Sequence, residues 1–192
     1  MYDHLYTYIT SKISIDDEDF EEIKKAFAPQ KLRKRQYLLQ EGQVARHTAF
    51  VVKGLLRQYM VDEKGHEHIT QFAIENWWIG DRESLANQTP SAFNIDALED
   101  SDLLLITQEE MVSLEKKVPA FKDLIGLIKE RRAFFAQKRV VSALSYTAEQ
   151  KYQQFVETYP QIMQRVPQHM IASYLGITPE TLSRLRAKAA KK

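Results

Sequence analysis

The chain has 192 residues, enough for one large domain or two modest ones. Its 44% hydrophobic and 28% charged residues can bury a core and keep a charged surface. Cysteine is absent, which excludes disulfides, thiolate zinc sites and Cys-ligated iron–sulfur clusters. The N-terminus, Met1-Tyr2-Asp3-His4-Leu5, lacks the apolar run of a secretory signal, and no stretch reaches transmembrane length. A cytoplasmic location without membrane contact is expected. The formal net charge of +1 hides an asymmetry. Residues 129–192 hold 12 Lys and Arg against 4 Asp and Glu, whereas the preceding residues hold 15 against 22. A basic C-terminal part on an acidic N-terminal part suits a chain that meets a polyanion at one end.

Residues 1–28 read as helical. The acids Asp16-Asp17-Glu18-Asp19 suit a helix start, Phe20, Ile23 and Phe27 mark an apolar face, and Pro29 is a stop. From Lys31 the period shortens. Strands are expected at Gln36–Gln40, Thr48–Val52, Leu55–Val61, His66–Ile74, Phe93–Leu98 and Asp102–Ile106, with turns at Lys53-Gly54 and Asp62-Glu63-Lys64-Gly65. A short helix fits Asp81–Asn87. Many short strands with glycine turns indicate a sandwich or small barrel.

Thr107 with Glu110 three residues later forms a capping box for the next helix. Pro119 then begins a long helix running to about Tyr146, apolar on more than one stripe. Leu124, Leu127, Arg131, Phe134, Lys138 and Val141 have coiled-coil spacing, which makes a seam with a second copy a natural reading. Packing within one chain is the alternative. A further helix spans Thr147 to Tyr159 and stops at Pro160.

The most informative stretch is Val166–Arg184. Met170, Ile171, Tyr174 and Leu175 give one helix an apolar face, and Gly176 ends it in the left-handed conformation. Thr178 is an N-cap, Pro179 is at the first helical position, and Leu182 and Leu185 face inward along a helix over residues 179–188. This is the layout of a helix-turn-helix, whose second helix enters the DNA major groove. A plain helical corner would share the apolar spacing but has no reason for a polar, basic outer face. Glu180 and Arg184 are four residues apart and share a face. Arg can bridge O6 and N7 of guanine, and Glu can accept from N4 of cytosine. An acid is also favoured at any helix start, which is the simpler reading of Glu180. Gln168, His169, Ser183, Arg186 and Lys188 are candidate phosphate contacts, and Thr178 and Thr181 complete the candidate DNA-binding set.

This order of parts resembles the Crp/Fnr family of bacterial transcription regulators over nearly the whole chain. In the β part the resemblance rests on Glu41-Gly42, on Phe50-Val51-Val52-Lys53-Gly54-Leu55-Leu56-Arg57 and on Trp78-Ile79-Gly80-Asp81. In the C-terminal part it rests on Glu180, Thr181 and Arg184, which fall where the family reads bases and touches the DNA backbone. The resemblance implies an α+β fold: a β-roll or jelly-roll of the cyclic-nucleotide-binding kind over 1–118, a dimerisation helix over 119–146, and a winged-helix-like helix-turn-helix over 147–192. The wing is largely missing, and the tail Lys188-Ala189-Ala190-Lys191-Lys192 stands in its place. The partners it implies are double-stranded DNA, a second copy of the chain, RNA polymerase and a small-molecule effector of unknown identity.

The chain departs from the family at the ligand cradle. Nucleotide-binding members pair Gly-Glu with Arg-Ser about ten residues later. Here the first position reads Gly80-Asp81, and the second reads Thr89-Pro90-Ser91-Ala92-Phe93, without the phosphate-binding Arg. Gly80, Asp81, Arg82, Ser91 and Ala92 are therefore a candidate ligand site that is not expected to take cyclic AMP. The five histidines show no haem pattern, so neither a cofactor nor a metal is expected. Two competing readings are a cupin-like metal-binding enzyme built on His66-Glu67-His68 with Glu75, and a ligand sensor without DNA binding. No nucleophile–base constellation supports an enzyme.

Overall fold

The computed structural model describes residues 1–189. It divides into two units, Met1–Met60 with Gln71–Glu130, and Val61–Thr70 with Arg131 onward. The first unit opens with helices α1 (Tyr2–Thr10) and α2 (Asp17–Lys25). The single helical region expected over 1–28 is thus broken. Asp16 is not inside a helix. Its carboxylate accepts from the Asp19 amide at 2.8 Å and caps α2.

Eight strands follow among the described residues: β1 (Ala28–Leu32), β2 (Tyr37–Leu39), β3 (His47–Lys53), β4 (Leu56–Val61), β5 (Glu67–Ala73), β6 (Trp78–Ile79), β7 (Asn94–Ala97) and β8 (Ser101–Thr107). Helix α3 (Arg82–Asn87) sits between β6 and β7. The strands form two four-stranded sheets, ordered β1-β8-β3-β6 and β2-β7-β4-β5. β1 is the element that Pro29 concealed. It lies at the end of its sheet, where Pro29 pairs with Leu104 and a missing amide is tolerated.

The β1-β8-β3-β6 sheet is buried on both faces. Ala49, Val51, Ile79, Leu103 and Leu105 point toward the second sheet, meeting Leu39, Leu56, Ala73, Ile95 and Ala97. Phe50, Leu104 and Ile106 alternate to the other face and join Leu5, Ile9 and Ile23 of the N-terminal helices. Helix α4 (Gln108–Lys117), with the expected Thr107–Glu110 capping box, adds Leu114 to this second core.

Helix α5 (Pro119–Ser145) starts by burying Phe121, Leu124 and Ile125 in the same core. That corrects one expectation. Leu124 is fully buried in its own chain and is no part of a seam, whereas Leu127, Phe134 and Val141 remain exposed. The first turns of α5 face the sheet, so the free stripe begins only at Leu127.

The second unit contains the end of α5, helices α6 (Ala148–Thr158), α7 (Pro160–Arg165), α8 (Gln168–Leu175) and α9 (Pro179–Ala189), and the hairpin tip 61–70. α7 was not expected: Pro160 ends α6 but also starts a helix at its first position. Among the described residues no helix is long and apolar enough to cross a membrane. Ala190, Lys191 and Lys192, the end of the expected basic tail, lie outside the described residues.

Gly54 shows how tightly the first unit is drawn. Its φ is +103°, and a β-carbon there would lie 2.2 Å from Oγ and 2.8 Å from Cα of Ser101. Gly65, with φ +82°, has open space around it. Gly54→Ala should therefore cost about 3 kcal/mol, roughly 1–2 from left-handed backbone and the remainder from the clash. Gly65→Ala should cost only about 1–2 kcal/mol. Urea unfolding of both variants checks the difference, and equal losses would refute the packing account of Gly54.

Candidate DNA-binding face and ligand cradle

The second helix pair is built as its sequence suggests. Gly176 adopts φ 63° and ψ 39°, and amides at the end of α8 return to helix carbonyls: Gly176 to Ser173 at 3.1 Å and Ile177 to Ala172 at 3.0 Å. Thr178 then starts α9, its Oγ1 accepting from the Thr181 amide at 3.2 Å. Leu182 is fully buried with Ile171 and Ala172, which seats α9 against α8. Phe155 of α6 and Ile162 of α7 are also buried. α6 begins with a second capping box, formed by Thr147 and Gln150.

With Leu182 turned inward, Glu180, Ser183, Arg184 and Lys188 are exposed along α9, and Thr181 and Arg186 are half-buried. Gln168 and His169 are exposed at the start of α8, and Thr178 at the start of α9. Thr178, Thr181 and Arg184 form a short polar chain. The two threonine hydroxyls are 3.1 Å apart, and Arg184 Nη2 donates to Thr181 Oγ1 at 3.3 Å. Glu180's own backbone N–H, followed by the Thr178 hydroxyl, holds its carboxyl below the usual carboxylate range, with Arg184 adding a smaller pull. Glu180 is thus ionised at neutral pH, as an acceptor must be. Lys188 is engaged by Glu149 of α6 at 2.9 Å. An exposed pair of this kind is weak and gives way readily to a phosphate.

The candidate ligand residues lie in the first unit, around α3. Asp81 is buried, and both carboxylate oxygens are occupied. Oδ1 accepts from the amides of Glu83 at 3.0 Å and Ser84 at 3.2 Å, capping α3, while Oδ2 accepts from Ser91 Oγ at 2.7 Å. The adjoining loop is stitched in the same way. Gly42 N donates to Ser91 O and Ser91 N to Gln43 O, both at 2.8 Å, and Ala45 N donates to Ser84 Oγ at 2.8 Å. The structure therefore brings Asp81 and Ser91 together, and leaves Arg82 and Ala92 exposed. Gly80 is packed closely: a β-carbon there would stand 3.2 Å from His47 O.

His66 and His68 share a partner in Asp62 at the turn of the hairpin. His66 Nδ1 is 3.3 Å and His68 Nε2 2.9 Å from Asp62 Oδ2. The His68 contact, then the His66 amide, holds the Asp62 carboxyl well below the usual range. Glu75 does not join them. Its carboxylate accepts from the Gly54 amide at 2.8 Å. Among the described residues no group of three or more His, Cys, Asp or Glu is placed to hold a metal ion.

Two residues that sequence reasoning passed over tie the helix pair down. Ser173 of α8 bonds to the backbone of β5, donating to Glu67 O at 2.7 Å and accepting from Ile69 N at 3.0 Å. Arg139 of α5 donates to Thr70 O and lies over the Tyr174 ring, 4.4 Å from its centroid. Neither residue belongs to a local pattern, because their partners are distant in sequence. Burial and the neighbouring Tyr174 push the Tyr159 phenol well above its ordinary range, so it stays neutral beside Tyr174.

Residues 29–117 match the cyclic nucleotide-binding domain. Over 171 residues the chain is 25% identical to the regulatory protein HlyX of Actinobacillus pleuropneumoniae, covering 83% of this chain and 70% of that protein. It is 26% identical over 171 residues to the fumarate and nitrate reduction regulatory protein of Vibrio cholerae, covering 83% and 68%. The fold is similar to that of FixK2 from Bradyrhizobium japonicum, with a TM-score of 0.73, 17% identity, and 86% of this chain and 85% of the other covered.

Proposed function

Because the chain belongs to the Crp/Fnr family of transcription regulators, we propose that it is a homodimeric, sequence-specific DNA-binding regulator acting in the cytoplasm. The observation that carries this reading is the outer face of α9. Glu180 and Arg184 stand exposed on one face while Leu182 anchors the opposite face in the core. Arg184 reads guanine and Glu180 a neighbouring cytosine. Thr181, Ser183, Arg186 and Lys188, with Gln168, His169 and Thr178, set the register on the phosphates.

The second copy docks along α5. Leu127, Phe134 and Val141 recur every seven residues with 45–56% of their surface exposed, and Leu144 is 84% exposed. Such a stripe on one chain matches the same stripe on another. Paired α5 helices would present two α9 helices to the half-sites of a near-palindrome, about one DNA turn apart.

The effector is not cyclic AMP. The loop that would cradle a phosphate has no Arg, and Asp81 is bonded to Ser91 and to the start of α3. A ligand that enters this site has to replace the Ser91–Asp81 bond, so Gly80, Asp81, Arg82, Ser91 and Ala92 suit a small polar effector of another kind. Its action requires different affinities for two arrangements of the heads.

Three measurements test these statements. In binding assays on duplexes selected from random sequence, Arg184→Ala should lose about 1–3 kcal/mol of base discrimination while non-specific, salt-dependent binding persists. Wild-type protein with no salt-dependent DNA affinity would sink the regulator reading. Phe134→Glu should shift the sedimenting species from dimer to monomer, and an unchanged dimer rules out the α5 seam. Calorimetric titration with cyclic AMP should give no binding heat in the micromolar range, and a micromolar or tighter dissociation constant contradicts the cradle argument.

A further inference from the structure

β5 is the last strand of its sheet, so one of its edges has no partner strand. At the turn, Asp62 pairs with His66 across the hairpin. His68 therefore also faces β4, and Glu67 and Ile69 turn their backbone groups to the free edge. The groups bound by Ser173 are those two: the carbonyl of Glu67 and the amide of Ile69. A residue of a parallel strand opposite His68 would use the same pair, its N–H donating to residue 67 and its carbonyl accepting from residue 69. The Ser173 hydroxyl does both with one atom.

We propose that Ser173 is a positioning residue: it seats α8 on the β5 edge and so holds the helix-turn-helix in the orientation in which α9 meets DNA. This rests on the base-reading role of α9 proposed above. Serine suits the task because a hydroxyl donates and accepts at once and its short side chain keeps the helix close to the strand. Arg139 reinforces the seat from α5, since its guanidinium reaches Thr70 O on β5 and covers the ring of Tyr174, the residue after Ser173. Tyr174 in turn packs on Phe155 of α6, with ring centroids 5.4 Å apart. The seat thus joins hairpin, α5, α6 and α8 through two adjacent residues of α8. It leaves the outer face of α9 open, because Glu180, Ser183 and Arg184 are exposed.

A seat of this kind matters for two half-sites and not for one. Two heads held in a set orientation meet a palindrome without being ordered on binding, whereas a free head must first lose that freedom. The test uses the full chain as wild type, Ser173→Ala, Ser173→Thr and Arg139→Met, with thermal unfolding to confirm that each is folded. Amide exchange at Ile69 should be about five-fold faster in Ser173→Ala, the factor that one ordinary hydrogen bond represents, and near wild type in Ser173→Thr. Binding is then measured on a duplex selected by the wild type and on the same duplex with one half scrambled. Ser173→Ala and Arg139→Met should weaken binding to the intact palindrome about five-fold and leave the half-scrambled duplex within about two-fold of wild type. Ser173→Thr should recover the palindrome. Unchanged exchange at Ile69 overturns the seat. Faster exchange with an unchanged ratio between the two duplexes overturns the positioning role. Wild type without sequence preference overturns the base-reading proposal and with it the role of Ser173 in DNA binding, while the Ile69 amide still decides whether the seat exists.

Discussion

The first unit depends on one sheet being buried twice. β3 and β8 run at the middle of the β1-β8-β3-β6 sheet, and their side chains alternate between two apolar compartments. Ala49, Val51, Leu103 and Leu105 fill the space between the sheets, while Phe50, Leu104 and Ile106 meet the N-terminal helices, α4 and the start of α5. A one-residue slip of β3 against β8 would exchange the two sets, driving Phe50 into a space lined by alanines and short aliphatics. Register is therefore strongly specified. The glycine at Gly54, pressed against Ser101, lies at the end of this same pairing.

That double burial also fixes what α5 can do. Its first turns are spent on the core through Phe121, Leu124 and Ile125, with Ile128 packed at its edge, while Leu127, Phe134 and Val141 stay exposed. Leaving Phe134 and Leu144 in water is unfavourable by about 25 cal/mol for each Å² of apolar surface, a cost that the proposed pairing with a second copy would remove. A single helix thereby anchors the first unit at one end and leaves an exposed apolar stripe at the other, the stripe proposed to meet a second copy. The cradle around α3 is set in the same sandwich. It is held by hydrogen bonds among its own residues, with Ser91 donating to the Asp81 carboxylate.

The helix pair near the C-terminus obeys a more local constraint. Gly176 ends α8 in a conformation that other residues adopt only with strain, and Thr178 and Pro179 restart the chain within three residues. Ala172 of α8 and Leu182 of α9 are both fully buried. On the far side of α9, Glu180, Ser183 and Arg184 are exposed. The acid and the arginine there carry opposite charges on one face, the pair on which the proposed base reading rests.

How much of this was legible follows from the range of each interaction. The capping box of Thr107, the glycine stop at Gly176 and the pair Glu180 and Arg184 on one helix face are encoded within a few residues, so the sequence by itself determined them; the second capping box, at Thr147, is as local but was found only in the structure. The alternating strands were legible too, because a half-buried or doubly buried strand has a period of two. The short β1 was hidden by Pro29, which is tolerated only because β1 lies at the end of its sheet, and α7 by Pro160, which both ends and begins a helix. Only the tertiary structure decided that Leu124 belongs to a core, that Asp81 faces Ser91, that Glu75 serves Gly54 and not the histidines, and that Ser173 meets β5. Each of these depends on residues brought together across ten to more than a hundred positions of chain, and nothing in the local pattern of either partner specifies the other.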